Sequence, residues 1–435
     1  MRTFCTILKR INYTVTVSNT AKKQRNFMDL FDKLENRPSP LGPFTSEGYG
    51  YYTFPKLEGP LGPEMKFNGK DMVVWSINDY LGIGSNEEIK KTDTEATQEY
   101  SLSAPMGARL MTGNSTEHEL LEEELAAFVH KEKAQLLNYG YQGIMSTIHA
   151  LLDRNDILIY DELSHACIVD GKQLSMAEKF VFKHNDIESF KKQLFRAKKK
   201  MKENTSILVV TEGVFGMTGD LGILEEIIEL KKEVPFRLLV DDAHGIGTMG
   251  KDGSGTGTHL GIQDGIDVYF GTFAKSFALI GAFIASEPRV IEFLKANSRS
   301  QVFAKSLPLP MVVTARKRLQ MIKENPQLRE KLWNNTLKLR EGLREIGYTV
   351  LPSESPVTPV LTKGSTDLCQ DIMRKLREEH GVFVSGVAYP VVPRGTVLIR
   401  LIPTAAHNDA HIEQTLKAFE AIKDYVFEAA EKISA

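Results

Sequence analysis

Seven short apolar runs, AQLLNYG, DILIYDE, KFVFKHND, SILVVTEG, RLLVDDAH, IDVYFGTF and ALIGAFIAS, follow one another between positions 134 and 286. They are rich in Val, Ile, Leu and aromatic residues and are mostly apolar on both faces, as strands buried in a parallel sheet are. Stretches with apolar residues at helical spacing, such as Ile223 to Glu233, lie between them. This alternation predicts an α/β domain around a mainly parallel, seven-stranded sheet. Ligands of such sheets gather at the carboxyl ends of the strands, so the polar residues that end these runs are the first candidates for chemistry.

A chain of 435 residues is long enough for two or three domains. Residues 1–26 read as a basic extension, 27–75 as an N-terminal segment and 76–308 as the large domain. Residues 309–435 read as a smaller α+β domain, in which a helical stretch from Met311 to Ile346 leads into strand-like runs. The extension carries Arg2, Lys9, Arg10, Lys22, Lys23 and Arg25 and no acid. That suits either a transit peptide or an unstructured leader ahead of a start at Met28, and the lack of an amphipathic period favours the leader. A net charge of −2 excludes a dominant nucleic-acid surface. No apolar stretch approaches the roughly 18 residues of a membrane span. Cys5, Cys167 and Cys369 are too scattered for a disulfide framework or a metal site, which fits a cytoplasmic enzyme. The basic run Lys191 to Lys202 reads as a solvated helix face.

Three strand ends carry reactive side chains. Lys275 follows the run that ends in Thr272, in a glycine-flanked and otherwise apolar turn. Desolvation there disfavours its ammonium form, and a neutral lysine attacks carbonyls to give a Schiff base. In VDDAHG, the strand runs straight into Asp241, with His244 one turn on. A strand-end carboxylate needs a positive partner, and a protonated pyridine nitrogen is one; alternatively Asp241 caps a following helix and His244 is a satisfied core histidine. His165, in DELSHACIVDG, can stack on an aromatic ring or be structural. In NYGYQG a strand gives way to a helix, so the backbone amides of Gly140 and Tyr141 can meet a phosphate, and Thr272 adds a hydroxyl. Phosphate, ring nitrogen, ring face and aldehyde then each have a partner, and together they describe pyridoxal 5′-phosphate.

The motifs NDYLGIGSN, GARLMTGNSTEHELLEEELAAF, NYGYQG, DELSHACIVDG, TEGVFGMTGDLG, VDDAHGIGTMG, GTFAKS and LIRLIPTAAH stand in the order found in the α-oxoamine synthases. From about Asn78 to His407 the chain resembles this family of fold-type I pyridoxal-phosphate acyltransferases. GTGTHLGIQDGIDVYFGTFAKS is most similar to its serine palmitoyltransferase branch. The resemblance implies that Lys275 is the Schiff-base lysine and base, Asp241 the partner of the pyridine nitrogen and His244 the donor to the 3′-oxygen. It implies that His165 stacks on the ring and that Gly140, Tyr141 and Thr272 contact the cofactor. It assigns Arg400 to the amino-acid carboxylate, with Asn78 nearby. It further implies a homodimer whose active site is partly built by the partner's region around Ser306.

Some positions depart from the family. Gly216 stands where serine is usual, which removes a hydrogen bond; Ala274 and Ala282 replace serine or glycine and glycine; Lys305 stands where small residues are usual. The expected reaction is a decarboxylating condensation of an amino acid with an acyl thioester, carried by coenzyme A or a carrier protein, to an α-amino ketone. Long-chain-base synthesis from serine is one form of it. Lys305 beside the substrate would suit an acidic amino acid such as cysteate, and otherwise points to solvent. The alternatives are a short-chain synthase (8-amino-7-oxononanoate synthase or glycine C-acetyltransferase), an aminotransferase of the same fold, and a non-catalytic subunit. The last normally lacks the lysine that stands here as Lys275.

Overall fold

The computed structural model describes residues 28–35, 48–389 and 391–434. The basic extension expected at 1–26 lies outside them. Seven strands form the central sheet, in the spatial order β4-β10-β9-β8-β7-β5-β6. In chain order they are β4 (Lys133–Leu137), β5 (Ile157–Asp161), β6 (Glu178–Phe182), β7 (Ile207–Glu212), β8 (Arg237–Asp241), β9 (Val268–Thr272) and β10 (Ala282–Ser286). Each coincides with one of the seven apolar runs. Neighbours from β9 to β6 pair in parallel. β10 is the exception and runs antiparallel to both β4 and β9. The chain returns from β9 by a short turn that holds Lys275, too short for the helical crossover a parallel connection needs.

Layers on both faces bury this sheet. Phe190, Leu194, Leu238 and Ile246 belong to the core on one side, and Ile144, Ile148, Leu239 and Leu294 to the core on the other. Ahead of the sheet in the chain lie β1 (Leu57–Glu58), β2 (Glu64–Phe67) and β3 (Lys70–Val74). Beyond it, β11 (Thr349–Val350), β12 (Thr358–Lys363), β14 (Ser385–Val387) and β15 (Thr396–Leu401) make an antiparallel sheet. Between β12 and β14, β13 (Val382–Phe383) pairs in parallel with β3 and so joins the two ends of the chain. Trp75 stacks on His407 at 3.9 Å across the same junction.

The helical stretch expected over Met311–Ile346 is two helices, Leu309–Glu324 and Pro326–Ile346. Pro326 has no N–H to continue the first helix and restricts the residue before it. Asn325 accordingly leaves the helical region, at φ −121° and ψ 67°. Lys191 to Lys198 lie on the helix Ile187–Lys198, whose buried side is Phe190, Leu194 and Ala197. Among the described residues no helix is long and apolar enough to cross a membrane.

Candidate active site

At the carboxyl edge of the sheet, adjacent strands end on acids: β5 on Asp161, β7 on Glu212 and β8 on Asp241, all buried. Glu212 and Asp241 sit opposite each other in register. Burial pushes both carboxyls above their ordinary range, while the Lys275 ammonium opposes the rise. The Lys275 amine is lowered first by burial, with Asp241 and Glu212 acting the other way. It has no hydrogen-bond or ion-pair partner among the described residues. No helix follows Asp241, which removes the capping alternative; its Oδ1 accepts the N–H of Ala243 at 3.1 Å. Its Oδ2 meets only the Cys167 thiol, at 3.9 Å.

His165 caps the helix Ala166–Leu174, and its own N–H donates to Glu212 Oε1 at 2.6 Å. Burial lowers the imidazole, with Asp241 raising and Lys275 lowering it further. Glu212 was not singled out by sequence reasoning, yet its signal is that of Asp241: a carboxylate ending a largely apolar, buried strand.

His244 is half-buried against Tyr80, whose hydroxyl lies 2.8 Å from its Nδ1. Burial holds this histidine well below its ordinary value, with Lys275 and Arg400 adding to the effect. Tyr80 is a second functional residue that sequence reasoning missed; it stands in the NDYLG motif, where only Asn78 was singled out. A Cβ at Gly216 would fall 2.1 Å from His244 Nε2. The space left by the missing serine is therefore filled by the imidazole, so that more than one hydrogen bond changes. Arg400, on β15, donates to Asn78 Oδ1 at 2.8 Å and lies 3.9 Å from Met217 Sδ. Its buried Nε has no partner, so this guanidinium still faces an unfilled demand for an acceptor.

The helix Gly140–Leu151 begins without a side-chain cap, and a Cβ at Gly140 would come within 3.2 Å of Thr272 Oγ1. The Tyr141 ring stands edge-on to His165 at 6.1 Å, and its hydroxyl is bonded to Asp170. Thr272 Oγ1 donates to Gly281 O at 3.2 Å. Lys305 joins this group through its backbone, whose oxygen accepts a bond from the Asn138 side chain. It is exposed, and its ammonium donates to Leu102 O at 3.3 Å.

Pyridoxal 5′-phosphate fits this donor set on structural grounds. A buried carboxylate oxygen without an N–H donor, an unpartnered half-buried lysine amine, a flat imidazole beside both and an uncapped helix start converge on one edge of the sheet. A family model described as aminotransferase class I and II matches residues 70–419. The chain is 52% identical to the cysteate-C-fatty acyltransferase of Capnocytophaga ochracea, over 91% of this chain and 94% of that protein. It is 36% identical to the 8-amino-7-oxononanoate synthase of Thermoanaerobacter pseudethanolicus, over 84% and 91%. The serine palmitoyltransferase of S. paucimobilis, solved with a bound PLP–myriocin aldimine, superposes with a TM-score of 0.80 at 28% identity, covering 86% of this chain and 93% of that one. Matched along nearly its whole length in sequence and in fold, the chain belongs to the aminotransferase class I and II family and, within it, to the α-oxoamine synthases, the pyridoxal-phosphate-dependent acyltransferases, beside the serine palmitoyltransferases.

Proposed function

We propose that this enzyme condenses cysteate with a fatty acyl thioester, replacing the Cα–carboxylate bond by a Cα–acyl bond and releasing CO2 and the thiol. The observation that carries the reaction class is the convergence of unpartnered Lys275, the half-satisfied carboxylate of Asp241 and the under-bonded guanidinium of Arg400. The amino acid is argued from the 52% identical relative named for cysteate. Pyridoxal 5′-phosphate, when bound, supplies an aldehyde for the amines and a ring that takes up the electrons of a broken Cα bond. Asp241 would keep a proton on the ring nitrogen, His165 would cover the ring face, and the amides of Gly140 and Tyr141 with Thr272 would receive the phosphate. His244, held by Tyr80, faces the 3′-oxygen.

Arg400 binds the substrate carboxylate through the N–H groups that Asn78 does not use, fixing which Cα bond is aligned to break. Lys275, with its ammonium form disfavoured by burial, takes the Cα proton at Nζ and can return it to the product. Lys305 reaches a substrate sulfonate from the partner's side of a homodimer in the cytoplasm. The exposed apolar side chains of Leu102, Met106, Met111 and Phe303 around it support a second copy at that face.

The test offers serine, cysteate, glycine and alanine with a fixed long-chain acyl thioester, as coenzyme A and as carrier-protein ester, and measures CO2 and product mass. Cysteate should be preferred, with Lys305→Ala reducing the preference roughly ten- to a hundred-fold. A preference for serine would assign the enzyme to long-chain-base synthesis, and an unchanged ratio in Lys305→Ala would remove that lysine from the site. Lys275→Ala should abolish the yellow lysine-bound absorbance together with turnover; a colourless wild type that takes up no pyridoxal phosphate would overturn the whole reading.

A further inference from the structure

A helix start leaves N–H groups without partners, and the capping side chain normally offers an oxygen. Here His165 caps with a ring nitrogen: its Nδ1 accepts the N–H of Cys167 at 3.3 Å. A nitrogen that accepts carries no proton, so this bond favours the imidazole with its proton on Nε2. The Cys167 Sγ lies 2.9 Å from the same Nδ1 and 3.9 Å from Asp241 Oδ2. The residue is 3% exposed, and burial pushes its thiol up, so that it stays S–H. One proton thus has two acceptors, one on each of the two groups that would hold the cofactor ring.

We infer that Cys167 is a positioning residue: its thiol keeps His165 in the Nε2–H form and serves as stand-in donor to Asp241 until a cofactor nitrogen takes that oxygen. Once the ring nitrogen occupies Oδ2, the thiol proton turns wholly to Nδ1. Loading the site therefore strengthens the hold on the imidazole that covers the ring. The titratable groups facing His165 are Asp241 at the end of β8, His244 just after it, Glu212 at the end of β7, Lys275 after β9 and Tyr141 on the helix that follows β4. The carboxylate of Asp241 favours a charged imidazole. Burial, Lys275 and the bonds to Nδ1 oppose it. Removing the thiol takes away one bond that only the neutral ring accepts.

This inference rests on the cofactor reading, and the two are tested apart. Histidine-labelled, cofactor-free wild type followed by 15N NMR should show His165 as the Nε2–H tautomer through the neutral range. In Cys167→Ala its titration should move up by about 0.5–1 pH unit, and the dissociation constant for pyridoxal phosphate should rise about 3–10-fold. Cys167→Ser, which keeps a donor of similar size, should stay within about twofold of wild type. A wild-type ring protonated on Nδ1 at neutral pH, or a serine variant that behaves as the alanine one does, would overturn the inference. If the alanine variant does not fold, the wild-type spectrum and the serine variant still decide it. Failure of wild type to take up pyridoxal phosphate, with the tautomer as expected, would count against the cofactor reading alone.

Discussion

Asp241 and His244 share one turn but carry different burdens. The carboxylate is buried with one oxygen lacking an N–H donor, so in the proposed role it would give a ring cation what water otherwise supplies, and the electron sink would depend on that charge. His244 is already bonded to Tyr80 and adds a contact that tunes the cofactor. Asp241→Ala should cost roughly 10²–10³-fold in kcat/KM and His244→Ala about tenfold, measured on variants whose cofactor loading is checked by absorbance; equal losses would contradict the division. Gly216 sharpens the case. A side chain there meets His244 Nε2 at 2.1 Å, so Gly216→Ser should push the ring off Tyr80, move the cofactor's absorbance maximum and lower kcat several-fold. Tyr80→Phe should produce the same spectral change without crowding. The glycine was visible in the sequence as a missing hydroxyl; that a histidine fills its space was not, because the ring arrives from a different strand.

Between elements, His184 after β6 ties two active-site loops together. Its ring nitrogens lie 3.0 Å from Asp161 Oδ1 and 2.8 Å from Asp220 Oδ2. Asp161 ends β5 just ahead of His165, and Asp220 follows Gly216 and Met217. Burial alone would lower this histidine, but the hydrogen bonds to Asp161 and Asp220 outweigh it and raise it from 6.5 to about 9. A raised pKa means that the stabilisation is full below about pH 6.5 and is lost as pH climbs through about 9. With discount for solvent screening we expect about 1–2 kcal/mol. Denaturant unfolding across that range should show this loss in wild type and not in His184→Gln. The strands themselves were legible because burial on both faces makes most of them short, nearly unbroken apolar runs, with β6 at the sheet edge the one that leaves alternate residues exposed. The reversed direction of β10 was not, since an apolar run looks the same in either sense. Pairs such as Tyr80–His244 and His184–Asp220 join residues from different elements, which no local spacing can reveal, whereas the break at Pro326, passed over in expecting one stretch from Met311 to Ile346, had its local signal in proline's missing N–H.

Across the whole molecule, large apolar side chains are left exposed on the face proposed for a second copy. Met106 and Phe303 are each 75% exposed and Met111 is 79% exposed, and Gly107 and Ala108 line a surface hollow with Phe303 and Lys305. Phe303→Glu should shift the protein toward monomer in sedimentation velocity and lower its activity more at low concentration than at high; an unchanged sedimentation profile would place the interface elsewhere. The junction at β3 and β13 has a consequence in time. The proposed amino-acid end of the site forms where Arg400 meets Asn78, a bond across 322 positions. A ribosome finishes Lys275, Asp241 and His165 well before it reaches β15. Until that strand emerges, the nascent chain has the residues proposed for the ring but not the guanidinium proposed for the carboxylate, so the means to hold an amino acid in place would be completed after the means to hold a cofactor.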